Sequence, residues 1–191
     1  MIEDSVSWVT SAGKAVSYRI HDFRSPLTRQ PRILVVIPCY NAQEWIEPCL
    51  LALAANKTNY DLLIVEDGGT PLTDFPIKDN LVHFKLEENV GLIGVLNLAI
   101  RFALEENYEF YVRQDADDFS AADRLERQLH VADQTGADLV VGGAQVINGE
   151  GAPLWTISGK LPQDILNAIS IKNPFVHSTW FLRTSAFKKF G

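Results

Sequence analysis

The densest chemical signal in the chain is Asp115-Ala116-Asp117-Asp118, set directly after the apolar run Phe110-Tyr111-Val112 with Arg113 and Gln114 between, and followed by Phe119-Ser120. Three carboxylates this close repel one another unless a cation or solvent screens them. Asp115 and Asp117 are two positions apart, and in an extended segment that spacing puts both side chains on one face. Oxygen ligands on one face suit a hard divalent cation whose other positions are filled by water or phosphate oxygens. A diphosphate leaving group needs such neutralisation as its bond breaks. A second reading stays open, because Asp118 and Ser120 are side chains that decorate helix starts, where free N–H groups and the dipole favour anions.

Glu66-Asp67-Gly68-Gly69 closes another apolar run, Leu62 to Val65. An acid followed by glycines lets the backbone approach a ligand while the acid accepts its hydrogen bonds. Asp-Gly is equally ordinary turn chemistry. The segment Asn89-Val90-Gly91-Leu92-Ile93-Gly94 lacks the G-x-G-x-x-G spacing and follows a loop, which argues against a nicotinamide site. No Gly-Lys-Ser/Thr is present, so a P-loop is excluded. His21, His83, His130 and His177 are dispersed without zinc-ligand spacing, and no Ser-His-Asp arrangement stands out. His83 and His130 read as structural residues at the surface or only partly buried.

The elements that must position these residues alternate. Ile33 to Ile37 is a continuous aliphatic run, as expected of a strand buried on both faces, and Pro38 stops it. A helix is predicted over Glu44 to Asn56 with Asn41 as its cap. Strands follow at Leu62 to Val65 and Leu81 to Leu86, a helix at Gly91 to Glu105, and a strand at Phe110 to Arg113. A helix over Ala121 to Gln134, capped by Ser120, leads to Asp138 to Val141 and an extended run to Ile147. After the turn Asn148-Gly149-Glu150-Gly151 the alternation weakens, to a short helix over Leu161 to Ile171 and a strand over Phe175 to Leu182. Strands separated by helices imply an α/β fold with a mainly parallel central sheet, its functional loops at the strand C-termini. Residues 1–31 show little periodicity and read as an N-terminal extension with one short strand near Val16 to Ile20, leaving 32–191 as the domain proper.

At 191 residues the chain supports one full core. Its net charge of -7 and lack of a Lys/Arg run argue against a nucleic-acid partner, but a bound metal would still admit a small anion. The longest apolar stretches are too short to span a bilayer and no charged-then-apolar leader is visible, so the cytoplasm is the expected compartment. Cys39 and Cys49 fit a reducing compartment and read as core fillers.

From near Arg32 to the last residue, these segments in order resemble family 2 glycosyltransferases of GT-A type. Pro38-Cys39-Tyr40-Asn41 is similar to that family's P-x-Y-N opening, which lines the nucleotide base. Val65-Glu66-Asp67-Gly68-Gly69 resembles its V-D-D-G-S segment, and Asn89-x-Gly91 through Asn97 its N-x-G helix start. Arg113 to Ser120 resembles its R-M-D-A-D-D-I-S form of the D-x-D motif, continuing through Arg124-Leu125-Glu126 and Gln128. Gly142-Gly143 and Asn173 to Thr179 look like a subgroup that makes capsule, lipopolysaccharide and related surface glycans.

The resemblance implies nucleotide binding by Pro38, Tyr40, Asn41, Asp67, Gly68, Asn89, Gly91, Arg113 and Asp115. It makes Asp117 the principal ligand of a Mg²⁺ or Mn²⁺ ion, with Asp115 contributing directly or through water. His177 falls near the diphosphate or acceptor, or is a structural strand histidine; Arg113 contacts the donor or pairs with an acid beneath it. The implied reaction is an inverting transfer from a nucleotide-diphospho-sugar, UDP-sugar favoured, to a glycan or lipid-linked acceptor, with peripheral membrane association compatible with the latter. The family's general base belongs to an acceptor region that follows a Gly-Gly-aromatic step, and this sequence stops at Gly191, where that step would begin. The base is therefore expected beyond Gly191, and the chain alone is expected to bind donor and metal but turn over weakly. The alternative is a non-catalytic nucleotide-sugar-binding module. A sugar-phosphate nucleotidyltransferase is disfavoured because no Gly-rich basic loop follows the first strand. Gln114, Ala122 and Glu66 stand where the family usually has Met, Pro and Asp.

Overall fold

The computed structural model describes residues 2–10, 13–25, 32–76, 79–158, 165, 167, 171 and 173–190. In chain order the elements are β1 (Ile2–Val9), β2 (Ala15–Asp22), β3 (Ile33–Cys39), α1 (Ile46–Ala54), β4 (Asp61–Glu66), β5 (Leu81–Leu86), α2 (Gly91–Glu105) and β6 (Phe110–Arg113). Then come α3 (Arg124–Thr135), β7 (Leu139–Val140), β8 (Ala144–Ile147), β9 (Pro153–Ile157), a 3-10 turn (His177–Thr179), β10 (Phe181–Arg183) and α4 (Thr184–Phe190).

Among the described residues, an 8-stranded sheet has the order β1-β2-β5-β4-β3-β6-β10-β7. Its centre, β5-β4-β3-β6, is parallel, and the flanking pairs are antiparallel. The centre is parallel because α1 and α2 carry the chain back between strands, and the aliphatic runs can then be covered on both faces. Alternation along the strands divides them between two cores. Val35, Ile37, Leu62 and Ile64 pack with Ile46, Leu50 and Leu53 of α1 and Leu125 and Ala132 of α3. Leu34, Val36, Leu63 and Val65 pack with Val95, Leu98 and Ala103 of α2 on the other face.

The chain moves outward from β3 through β4 to β5, then α2 returns it to β6 on the far side of β3. The order therefore reverses beside β3, and the loops after β3, β4 and β6 meet at one rim. Open α/β sheets bind ligands at such a switch point.

Several sequence-based expectations need correction. The presumed extension instead contains a hairpin: β1 pairs with β2, β2 pairs with β5 (Tyr18↔Leu86), and Trp8, Val16 and Tyr18 are buried in the same core as α2. Asn41 and Ser120 do not cap helices. The cap positions fall at Trp45 and Asp123, neither with a side-chain cap bond, while Asn41 Oδ1 accepts the Thr70 N–H (3.0 Å) and Ser120 Oγ lies 3.5 Å from the Ala121 carbonyl. The run to Ile147 breaks after Val140, and β8 forms a separate hairpin with β9 around the expected turn. The expected strand from Phe175 shortens to β10, because His177–Thr179 winds into the 3-10 turn first. The helix expected over Leu161 to Ile171 lies largely outside the described residues. Gly191, the residue beyond which the general base is expected, also lies outside them, one position after the end of α4. Among the described residues no helix is long and apolar enough to cross a membrane.

Candidate functional site

A cleft of about 340 Å³ opens at this rim, lined by Pro38, Tyr40, Asp67, Asn89, Gly91, Arg113, Asp115 and His177 among the residues expected to act, together with Cys39, Leu92 and Val95. That volume lies in the range of small-molecule sites, about 300–1,000 Å³. Leu92 and Val95 give it an apolar wall from α2. Nothing but their place on a core-facing helix could have announced them. Asn41, Gly68 and Asp117 stand beside the lining, and each has its own task.

The loop after β4 is locked to its neighbours. Asp67 is 4% exposed, and its carboxylate accepts the N–H groups of Val90 (2.7 Å) and Gly91 (3.0 Å) at the start of α2. Its own N–H donates to Cys39 O (2.8 Å), and Asn89 Nδ2 donates to its carbonyl (3.1 Å). Burial pushes the Asp67 carboxyl above the ordinary range, against the pull of the two α2 N–H groups. One acid thus joins the ends of β3 and β4 to the N-terminus of α2, where anions are favoured.

Gly68 and Gly69 seal the same junction. Both have left-handed backbone (φ 69° and 80°). A Cβ on Gly68 would sit 2.9 Å from Asn89 N, and one on Gly69 2.6 Å from Asn41 Oδ1 and 3.1 Å from Tyr40 Cε2. The glycines therefore serve loop-to-loop packing. Asn41 itself adopts φ 52°, which asparagine tolerates well, and it holds the β3 loop to the β4 loop through Thr70. Tyr40, 57% exposed, is left facing the cleft.

Glu66, behind this loop, is buried and accepts the Leu72 N–H (3.1 Å), with His83 Nε2 at 3.3 Å and Lys85 Nζ at 3.6 Å. Burial opposes its ionisation, but His83, the Leu72 N–H and Lys85 outweigh it and hold the carboxyl below the usual range. His83, expected at the surface or only partly buried, is instead buried beside Glu66.

On the other side, Arg113 at the end of β6 is 2% exposed. Its Nη2 lies 2.6 Å from Asp115 Oδ1 and its Nη1 donates to Gln114 O (2.8 Å). Its Nε has no partner among the described residues. Of the two roles left open for Arg113, the structure shows the pairing with an acid, Asp115, and places the residue in the cleft lining. Gln114, 1% exposed, donates Nε2 to Asp115 O (3.1 Å) and Asp118 O (2.9 Å) and so folds the acidic loop into a turn. Sequence reading treated it only as a replacement for Met. Partial burial raises the Asp118 carboxyl, against a Ser178 hydrogen bond and with Asp115 and Asp117 adding repulsion.

Asp117 is exposed, and no hydrogen bond or ion pair engages its carboxylate among the described residues. No group of three His, Cys, Asp or Glu side chains gathers among the described residues either. Asp115, already paired with Arg113, and the exposed Asp117 are the carboxylates this turn could offer a divalent cation, whose other positions would fall to a diphosphate and water. His177 starts the 3-10 turn, packs edge-on against Trp180 (4.4 Å between centroids) and lines the cleft. Burial lowers its basicity and Arg113 adds to that, with Asp115 opposing. Cys39 and Cys49 are free and buried; burial raises both thiols, Cys49 to about 12, so neither is a nucleophile at neutral pH.

The fold, a mixed sheet with a parallel centre and a cleft at its switch point, is shared with solved glycosyltransferase structures of GT-A type. The chain belongs to glycosyl transferase family 2, whose model matches residues 34–191. Among sequence relatives, it is 31% identical over 132 residues to a poly(ribitol-phosphate) beta-glucosyltransferase of Bacillus spizizenii, covering 64% of this chain and 20% of that protein. It is 28% identical over 138 residues to the O-antigen biosynthesis glycosyltransferase WbnJ of Escherichia coli, covering 69% of this chain and 53% of the relative. Two solved structures share the fold at 22% identity. One is S. aureus TarS 1-349 in complex with UDP-GlcNAc (TM-score 0.62, 82% of this chain, 46% of that one). The other is the mannosyltransferase PcManGT from Pyrobaculum calidifontis in complex with GDP-Man and Mn²⁺ (TM-score 0.56, 86% and 48%). The chain thus spans about half, or less, of the length of these proteins.

Proposed function

We propose that this cleft binds a nucleotide-diphospho-sugar, a UDP-sugar in the first instance, and that the chain is the donor-binding part of an inverting transferase. In this reading the acceptor is a glycan or a lipid-linked glycan of the cell surface, and the enzyme works in the cytoplasm at the inner face of the membrane. The observation that carries the proposal is that one cleft brings Tyr40, Asp67, Arg113, Asp115 and His177 together from four separate chain segments.

The residues divide by position. Tyr40 offers an aromatic face for the base, and Asp67, with α2's N–H groups already on both oxygens, retains lone pairs for a base N–H. Asp115, partly neutralised by Arg113, is suited to accept ribose hydroxyls. Asp117, with Asp115, would hold Mg²⁺ or Mn²⁺, which supplies Lewis-acid stabilisation of the departing diphosphate. His177 and Arg113 flank the space where the diphosphate would lie. A general base, worth typically about 10²–10⁴-fold in rate, is assigned to none of these residues. This reading leaves that role to residues outside the cleft.

Calorimetry with UDP, GDP, dTDP and CMP, each with Mn²⁺ and with chelator, tests the reading. Metal-dependent binding of UDP is expected, and Asp117→Asn should remove the metal dependence while leaving thermal stability unchanged. Failure of all four nucleotides to bind in the presence of Mn²⁺ rules the donor site out. Acceptor-dependent release of UDP from a UDP-sugar then separates a transferase from a binding module.

A further inference from the structure

Arg124, the first residue of α3, contributes a half-buried guanidinium to which the reaction gives no direct task. Its hydrogen bonds go to uncharged oxygens: Nε to Gln128 Oε1 (2.9 Å), Nη1 to Gln114 Oε1 (2.7 Å), and Nη2 to both Arg113 O (2.8 Å) and Ser178 O (2.9 Å). Gln114 passes the contact on to Asp115 O and Asp118 O, on either side of Asp117. Gln128 passes it to Thr179 O (2.7 Å). One side chain therefore bridges three pieces of chain: α3, the acidic turn and the His177–Thr179 turn.

Helix stability does not explain this placement. A cation at a helix N-terminus has the wrong sign for the dipole, and burial brings the Arg124 pKa down to about 10 even with Asp118 and Asp115 nearby. Its planar fork does explain it. Lysine carries the same charge but cannot address acceptors on two loops with fixed geometry.

We infer that Arg124 is a positioning residue, which sets the acidic turn against the His177 turn so that Asp117 and His177 address the same diphosphate. The inference rests on the nucleotide-sugar reading of the cleft. Its consequence is selective. The base end of the cleft, built by Tyr40, Asp67 and Asn89 on the loops after β3, β4 and β5, is tied together without Arg124.

The test compares wild type with Arg124→Lys by calorimetry, using uridine alone and UDP with Mn²⁺. The variant should bind uridine within about twofold of wild type but lose about 10–100-fold in affinity for UDP with Mn²⁺, the usual cost of removing a residue that orients metal ligands. Wild-type affinity for UDP with Mn²⁺ in the variant, or equal losses for both probes, overturns the assignment; the second result marks Arg124 as a purely structural residue. Should Arg124→Lys fail to fold, Gln114→Glu keeps an acceptor for Arg124 while replacing the amide that donates both bonds into the acidic turn with a charged carboxylate that cannot make them. The same selective loss is expected there, and unchanged affinity for UDP with Mn²⁺ overturns the inference. If wild type binds neither probe, the reading of the cleft falls and takes this assignment with it.

Discussion

Asp67→Asn separates the two tasks the structure gives that residue. As a ligand it would touch the base; as an architectural residue it already accepts the Val90 and Gly91 N–H groups at 2.7 and 3.0 Å. An amide has one acceptor oxygen, so the variant must turn an NH₂ toward one of the two backbone donors. Leaving that donor unsatisfied in a buried site costs about 1–3 kcal/mol, and the bond that survives loses its charge assistance. Removing the charge from the start of α2 costs about 0.3–1 kcal/mol more. Against this, the substitution relieves the burial of an ionised carboxylate, which is what raises the Asp67 pKa. The net expectation is a loss of about 2–3 kcal/mol, read from urea denaturation followed by circular dichroism, together with weaker uridine binding. A variant within about 0.5 kcal/mol of wild type that has nonetheless lost uridine would refute the architectural argument and leave Asp67 a ligand alone.

Two further perturbations probe the same rim. Gly68→Ala should destabilise by about 2–4 kcal/mol, combining left-handed backbone strain with overpacking, because its Cβ meets main-chain atoms of Glu88 and Asn89 that cannot swing away. Gly69→Ala meets the movable Asn41 side chain first and should cost less; equal melting temperatures for the two variants would contradict this ranking. Glu66, whose folded carboxyl is held below its ordinary 4.5, binds fewer protons folded than unfolded, so its contribution is complete above about pH 4.5 and drains as pH falls through the folded value. The stability gap between wild type and Glu66→Gln should therefore narrow between about pH 6 and pH 3, and a gap that stays constant would show that His83 and Lys85 do not favour its ionised form.

The elements that build the centre of the sheet were legible. β5, α2 and β6 fall on the residues expected, because each carries a mostly apolar pattern of the right length bounded by polar or glycine residues, and the decision between helix and strand is local. The N-terminal hairpin was not, although Val6 and Trp8, like Val16 and Tyr18, alternate with polar neighbours. Short edge strands carry weak patterns, and what makes these residues strands is pairing with β5, more than sixty positions away by register (Tyr18↔Leu86). β9 is exposed at every position, so burial left no periodicity to read. Asn41 and Ser120 were misread as caps for a related reason: a short polar side chain has several backbone partners within reach, and tertiary contact decides among them. At the site, residue types led to Asp67 and Asp115, which line the cleft, but no local pattern links Asp67 to Val90 or Arg124 to Ser178.

Those long-range links bear on how the site works. Asn41 is engaged with Thr70, Asp67 with α2, Asp115 with Arg113, and Gln114 with both the acidic turn and Arg124. The motif residues thus bind one another across loops that leave different strands. Tyr40 and the Asp117 carboxylate are exposed and take no part in these links among the described residues. A cleft cross-linked in this way does not spend ligand-binding energy on ordering its own loops, which is the main saving that preorganisation offers. It also leaves the Asp117 carboxylate without a hydrogen bond or ion pair among the described residues, and under the proposed function that group would meet the cation. The same residues that hold the fold's rim together therefore leave Tyr40 and Asp117 free for the ligand that the proposed function assigns to this cleft.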